Sequence, residues 1–220
     1  MNNYQQFGLV LAAAGKSSRF GDSDKLLVEL EGKALFLHAL LTFSQIMPIA
    51  NIVIVVSPGQ ENTFRDILKP YSQMDNVLIC EGGQERQNSV LNGINKLNDS
   101  LQYVAVHDAA RPYITQELII KSFDHAIKNG NAVVAKAVTD TIKIVDEKDC
   151  VLSTPARATL RAAETPQIFP LDFLKKAYTT ANQEQRIITD ESMAAEQAGE
   201  RVHLFVHHGN NIKITYQHDL

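Results

Sequence analysis

Gly8-Leu9-Val10-Leu11-Ala12, followed at once by Ala13-Ala14-Gly15-Lys16-Ser17-Ser18-Arg19-Phe20-Gly21 and then Lys25, is the stretch on which the fold turns. Five apolar residues without alternation read as a strand covered on both faces, which is how parallel strands are buried. The small and basic residues that follow read as a loop leaving the strand's C-terminal end. Gly15-Lys16-Ser17 imitates the end of a phosphate-binding P-loop, but that motif needs glycine at position 10, where Val10 stands. What remains is a run of small side chains that lets a ligand approach the backbone, with three cations at Lys16, Arg19 and Lys25. Such a loop holds a phosphate chain through N–H groups and neutralises charge at phosphorus; a solvated basic loop is the plainer reading.

Similar apolar runs recur at 52–57, 77–80, 103–106 and 132–135, separated by segments of helical period. Phe36, Leu40 and Phe43 share one face of one helix, and Val90, Ile94 and Leu97 one face of another. The alternation predicts an α/β fold, a doubly wound, mostly parallel and Rossmann-like sheet, in one domain spanning 1–220. Ligands of such sheets sit outside the C-terminal ends of the strands. Two further loops there carry chemistry-bearing residues. Gly82-Gly83-Gln84-Glu85-Arg86-Gln87-Asn88-Ser89 has paired glycines for a tight turn, and Ser89 with the loop amides suits the edge of a base. It also reads as a plain strand-to-helix turn. In His107-Asp108-Ala109-Ala110-Arg111-Pro112, Asp108 is a carboxylate placed for Mg²⁺, and Pro112 pushes Arg111 toward extended backbone. An Asp–Arg ion pair stabilising the turn is the alternative.

One segment breaks the pattern. Residues 138–145 and 151–154 read as β segments around Asp146-Glu147-Lys148-Asp149, an arm of about 138–160 inserted into the domain. A lone hairpin is marginal in water, so the arm is expected to dock on a second subunit, with folding back on its own domain as the alternative. Further along, a helix is expected over 171–181 with Pro170 in its first turn, then a helix capped by Thr189, and strands over 202–206 and 212–215.

The chain has 220 residues, 45% hydrophobic and 21% charged, with a formal charge of −4. That balance gives no global field for a nucleic acid or an anionic membrane, so no nucleic-acid partner is expected. No apolar run approaches the ~18–20 residues of a membrane span, and the N-terminus has no signal-peptide pattern. Cytoplasmic location follows as the expectation, with Cys80 and Cys150 read as small buried hydrophobes. His203, His207 and His208 read as solvated strand-end side chains rather than a metal site. No Gly-x-Ser-x-Gly elbow or Gly-x-Gly-x-x-Gly loop is present, which disfavours a covalent serine enzyme and a dinucleotide oxidoreductase.

Seven motifs stand in order. They are Ala-Ala-Gly-x(3)-Arg with Lys25, Gly-Gly-x(2)-Arg-x(2)-Ser-Val, Val-His-Asp-Ala-Ala-Arg-Pro, Asp140-Thr141-Ile142-Lys143, Thr165-Pro166-Gln167, Thr189-Asp190-Glu191 and Asn211-Ile212-Lys213-Ile214-Thr215. Together, over nearly the whole chain, they resemble the 2-C-methyl-D-erythritol 4-phosphate cytidylyltransferases of the non-mevalonate isoprenoid pathway. The resemblance implies a Mg²⁺-dependent transfer of CMP from CTP to that polyol phosphate, in a homodimer joined by the β-arm. It implies Arg19, Lys25, Arg157 and Lys213 as catalytic residues. Nucleotide contacts fall on Ala13, Ala14, Gly15, Lys16, Gly82, Gly83, Ser89 and Asp108. Polyol-phosphate contacts fall on Asp108, Arg111, Thr141, Arg157, Thr165, Thr189 and Lys213, with Asp108 also the metal ligand. Ala12 stands where relatives usually have Pro, Leu26-Leu27 where a Gln is frequent, and Gln84 where an acidic residue is frequent. A ribitol 5-phosphate cytidylyltransferase is the nearest rival reading. A non-catalytic nucleotide sensor would be expected to lack Arg19 or Lys25, and the chain has both.

Overall fold

The computed structural model describes residues 4–15, 20 and 24–220. Lys16 and Arg19 lie outside the described residues. The chain runs β1 (Phe7–Ala13), a short hairpin of β2 (Glu29–Leu30) and β3 (Lys33–Ala34), α1 (Leu35–Ser44), β4 (Ile52–Val56), α2 (Glu61–Leu68), β5 (Leu78–Glu81), α3 (Arg86–Ile94), β6 (Tyr103–Asp108), α4 (Gln116–Asn129) and β7 (Ala132–Ala137). Then follow β8 (Ile144–Val145), β9 (Val151–Ser153), β10 (Arg161–Pro170), α5 (Leu171–Gln183), α6 (Glu191–Gln197) and β11 (Leu204–Val206).

Seven strands form the central sheet in the order β11-β7-β10-β6-β1-β4-β5. All neighbours are parallel except β10, which runs antiparallel to both β6 and β7. β1 therefore lies in the interior of the sheet beside the central strand β6, pairing Leu9–Ala13 with β4 and Phe7–Ala12 with β6. Its side chains alternate between two cores. Phe7, Leu9 and Leu11 join the layer of α1, α2 and α4, while Val10 faces that of α3 and α5. Each such side chain, fully buried, contributes roughly 1.5–3 kcal/mol of transfer free energy. Gly93 lets α3 press onto the sheet, since a Cβ there would come within 2.6 Å of Val55 and 2.8 Å of Val10.

Helix ends follow local chemistry. Thr115 caps α4 by accepting from Leu118 N, and Gly130 closes it with φ of +88°. α6 begins one residue later than the sequence predicts: Asp190, not Thr189, is the cap, accepting from Met193 N at 2.8 Å. A carboxylate outcompetes a hydroxyl there because it meets both the free N–H groups and the positive end of the helix. Pro170 ends β10 and precedes α5 instead of lying within its first turn.

Two strand expectations need correction, and one strand stands where none is expected. The arm's first limb is strand only at Ile144–Val145, because β7 runs on to Ala137 and residues 138–143 carry no ladder. Residues 212–215 are not a strand either; buried Asn211 and Ile214 anchor that loop through side-chain and isolated backbone bonds. The long strand β10 was not expected, because Pro166 and Glu164 interrupt its pattern. Pro166 lies where the register with β7 shifts between Ala163 and Gln167, the kind of irregularity that accommodates proline.

The arm itself is held by β8–β9 pairing, by Lys143 Nζ on Thr154 Oγ1 at 2.8 Å, and by Arg157 Nη1 on the Thr139 carbonyl at 2.6 Å. Residues 139–163 are exposed nearly throughout, so the arm does not fold back on its own domain. Cys150 is exposed on it and not a buried hydrophobe, whereas Cys80 is buried, its thiol pushed up to about 11 by that burial.

Candidate active site

Strand order reverses between β1 and β6, where Ala12 pairs with Asp108. This is the crevice in which doubly wound sheets take ligands. One wall is the end of β1, where Ala13 is buried and Ala14 half-buried, with Gly15 exposed. The Gly82 turn packs directly on it: a Cβ on Gly82 would meet Ala14 Cβ at 2.6 Å and Ser89 Oγ at 2.7 Å. Ser89 Oγ accepts from Gly83 N and donates to the Glu85 carbonyl, both at 3.1 Å, so the hydroxyl braces the loop at its helical end.

The other wall is a cluster of charge around Asp108. Lys213 Nζ lies 2.8 Å and Arg111 Nε 3.6 Å from Asp108 Oδ2, while Arg86 Nη2 lies 4.0 Å from Oδ1. Burial opposes ionisation of this carboxyl, yet Lys213, Arg86 and Arg111 together outweigh it and hold it well below the usual carboxylate range. Lys25 follows Asp24, which caps the short turn 25–27 by accepting from Leu26 N. Its Nζ donates to the Ile214 carbonyl at 3.0 Å, which ties it to the loop that carries Lys213.

Behind this cluster stands a layer of bonds that sets it. Asp108 N donates to Thr165 Oγ1 at 3.0 Å, and Thr165 Oγ1 lies 3.0 Å from His107 Nδ1. With its oxygen accepting from Asp108, the hydroxyl directs its proton to Nδ1, leaving Nε2 as the protonated ring nitrogen facing the Arg111 carbonyl at 3.4 Å. His107 is fully buried, and burial pushes it down to about 4, so it stays neutral at physiological pH. Arg111 Nη1 donates to the Asn211 carbonyl at 2.7 Å. Arg86 forms a two-pronged bond with Glu191, at 2.7 and 3.1 Å, and Tyr178 Oη donates to the same carboxylate at 2.8 Å.

The family model of 2-C-methyl-D-erythritol 4-phosphate cytidylyltransferase matches residues 7–220. The enzyme of that name from Alkaliphilus metalliredigens is 40% identical, over 96% of this chain and 89% of the relative. That from Caldanaerobacter subterraneus is 37% identical, over 96% and 94%. The chain belongs to the 2-C-methyl-D-erythritol 4-phosphate cytidylyltransferase family. The crystal structure of 4-diphosphocytidyl-2C-methyl-D-erythritol synthase from Anaerococcus prevotii superposes with a TM-score of 0.85 at 27% identity, covering 98% of this chain and 93% of that one. The Thermus thermophilus cytidylyltransferase gives 0.79 at 25% identity, over 96% and 94%.

Of the residues that the cytidylyltransferase motifs single out, the structure gathers Ala13, Ala14, Gly82, Gly83 and Ser89 on one wall and Lys25, Asp108, Arg111 and Lys213 on the other. Thr165 is buried and its hydroxyl is engaged with Asp108 and His107, so it acts on the site from behind. Thr189 is exposed, its hydroxyl 3.4 Å from Met193 Sδ. Thr141 and Arg157 lie on the exposed arm, and Arg157 bonds there to Thr139 rather than to the Asp108 cluster. Four residues without a site role in the sequence expectation belong to the site's frame. Arg86 was legible inside its glycine motif; Glu191 sat at the end of Thr-Asp-Glu without an assigned partner. His207, expected in solvent, is buried with Nε2 3.0 Å from Glu164 Oε2. Glu164 itself carried no sequence signal.

Proposed function

We propose that this chain transfers the cytidylyl group of CTP to 2-C-methyl-D-erythritol 4-phosphate, forming 4-diphosphocytidyl-2-C-methyl-D-erythritol and releasing pyrophosphate. The observation that carries the reading is the pairing of a glycine-lined wall with a cation-rich one across the β1–β6 crevice. A phosphate oxygen of the acceptor attacks the α-phosphorus of CTP, the bond to the bridging oxygen breaks, and that oxygen leaves on pyrophosphate. Both reactants and products are anionic, so the protein's work is positioning and charge neutralisation. Lys25 and Arg19 act on charge that develops at phosphorus. Lys213 and Arg111 receive the acceptor phosphate.

Base choice follows from Ser89. Its proton goes to the Glu85 carbonyl and one lone pair to Gly83 N–H, which leaves one lone pair. An acceptor there suits the exocyclic amine of cytosine and gives nothing to the carbonyl of uracil.

The donor set fits a divalent cation. Asp108 is a hard oxygen ligand kept ionised, and among the described residues no group of three or more His, Cys, Asp or Glu gathers that would form an all-protein cage. Mg²⁺ is commonly held by one or two carboxylates plus substrate phosphates. When bound at Asp108 it would share charge with the phosphates of CTP.

Arg157 and Thr141 reach a site in this reading from a second copy of the chain. Ile144, Val151 and Leu152 on the arm are 51%, 59% and 65% exposed, an apolar face that pairing with a second subunit would cover. Among the described residues no helix is long and apolar enough to cross a membrane.

Pyrophosphate release tests the reading. Turnover is expected with CTP and methylerythritol phosphate, and little with UTP or with ribitol 5-phosphate. Equal turnover of ribitol 5-phosphate would move the chain to the cell-wall branch of cytidylyltransferases.

A further inference from the structure

Glu164 takes part in none of the steps above, yet it is buried beside the site. Two donors converge on its Oε2, Asn211 Nδ2 at 2.8 Å and His207 Nε2 at 3.0 Å, and Arg111 Nη1 lies 3.8 Å from the same oxygen. Asn211 is fully buried; its Nδ2 also donates to the Thr165 carbonyl at 2.9 Å, and its main-chain carbonyl accepts from Arg111. Three residues later Ile214 N donates to the Ala110 carbonyl at 2.8 Å, and the Ile214 carbonyl accepts from Lys25. Residues 211–214 belong to no sheet, so no ladder fixes them. Their place is set by these few bonds, and the loop carries Lys213 to Asp108.

We propose that Glu164 is a positioning residue for the acceptor side of the site: through Asn211 it fixes the loop that presents Lys213 and holds Lys25, and beside Arg111 it sets the neighbouring cation. His207 holds the same Oε2 that accepts from Asn211, a second bond that fixes this oxygen where the Asn211 amide meets it. The inference rests on the functional reading above for the substrate it affects, though not for the loop it holds.

Two substitutions separate positioning from bulk. Glu164→Gln keeps a carbonyl oxygen that accepts both bonds; Glu164→Leu keeps volume and accepts neither. Glu164→Leu should raise KM for methylerythritol phosphate about tenfold or more and lower kcat, with KM for CTP changed by less than about twofold. Glu164→Gln should stay within about threefold of the natural protein in all three. A Glu164→Leu/Asn211→Ser double variant should be no worse than the worse single one, because both cut the same link. Additive losses, equal changes in the two KM values, or a Glu164→Gln variant as impaired as Leu would overturn the proposal. If Glu164→Leu does not fold, Asn211→Ser carries the same test, since it removes the Nδ2 donor and leaves Glu164 its His207 partner. Hydrogen exchange reads the loop without any substrate. Amides of residues 211–215 should exchange faster in Glu164→Leu or Asn211→Ser than in the natural chain while β1 stays protected. Unchanged protection there refutes the proposal even if the natural chain uses another acceptor, whereas loss of turnover in the natural chain alone counts against the functional reading only.

Discussion

His107 offers a prediction whose size comes straight from its surroundings. The ring is fully buried behind Asp108 and stacked obliquely near Phe43, 5.1 Å between centroids. Burial holds its protonation down to about 4, against 6.5 when unfolded. Between those values the unfolded chain takes up a proton that the native chain refuses. This contribution to stability is therefore complete above pH 6.5 and is lost as the pH falls toward 4. At pH 4.5 the loss should be about 2.5 kcal/mol relative to pH 7. Asp108 acts in a different window. Its folded value is depressed, so its contribution is present above the unfolded 3.8 and fails only at lower pH. The assay is urea denaturation at pH 7 and pH 4.5 for the natural chain and for His107→Asn, which keeps an acceptor for Thr165 and cannot titrate. Other groups cancel in the comparison, and the natural chain should lose about 2.5 kcal/mol more than the variant. A difference below ~1 kcal/mol would refute a neutral, desolvated His107. The ring's proton resonances give a second check, since they should show no titration above about pH 5.

Three shorter predictions concern the walls of the crevice and the arm. Lys25→Ala should lower kcat on the order of 10²–10³-fold while KM for CTP changes much less, because its cation acts on developing charge; an unchanged saturated rate with weaker CTP binding would refute that role. Gly82→Ala forces a methyl group to within 2.6 Å of Ala14 and should raise KM for CTP by about tenfold or more, read from initial rates; unchanged CTP affinity would mean that this wall does not touch the nucleotide. Leu152→Asp, at an exposed arm position, should convert a dimer to a monomer in sedimentation and leave the melting temperature of the monomer domain intact; an unchanged sedimentation coefficient would argue against arm exchange.

Much of the sheet was legible because parallel strands buried on both faces have to be continuously apolar. Gly8–Ala12, 52–57 and 103–106 could be placed from residue type alone, and with them the crevice, since ligand position follows from strand direction. The glycine wall was legible for a related reason: Gly82 leaves space that only a missing side chain can leave. β10 was not legible. It is the sheet's one antiparallel strand, and its central residues Glu164, Thr165 and Gln167 face inward to make polar bonds instead of apolar contacts. A hydrophobic pattern records burial in an apolar layer; it cannot record burial in which the partners are hydrogen-bond donors.

The same limit explains why the cations could be named from sequence but not their partners. Lys213 meets Asp108 across 105 positions, Arg86 meets Glu191 across 105, and Asn211 meets Glu164 across 47. Local spacing carries no trace of such pairs, because they exist only once β10 has brought α6 and the 211–215 loop to the ends of β1 and β6. Their physical necessity is nevertheless plain. Lys25, Arg86, Arg111 and Lys213 gather where water is partly excluded, and without substrate four uncompensated cations there would repel one another and resist desolvation. Glu191 is fully buried and Asp108 and Glu164 nearly so, and each faces one of these cations or more. Glu191 serves Arg86 from behind, away from the crevice, and Glu164 does the same beside Arg111. Asp108 is the exception, because its partner Lys213 is still 39% exposed on the side chain and holds the carboxylate at the crevice itself. On the proposed reading an incoming phosphate competes with Asp108 chiefly for Lys213, which is 2.8 Å from it. Arg111 and Arg86, at 3.6 and 4.0 Å from the same carboxylate, are also held by the Asn211 main-chain carbonyl and by Glu191.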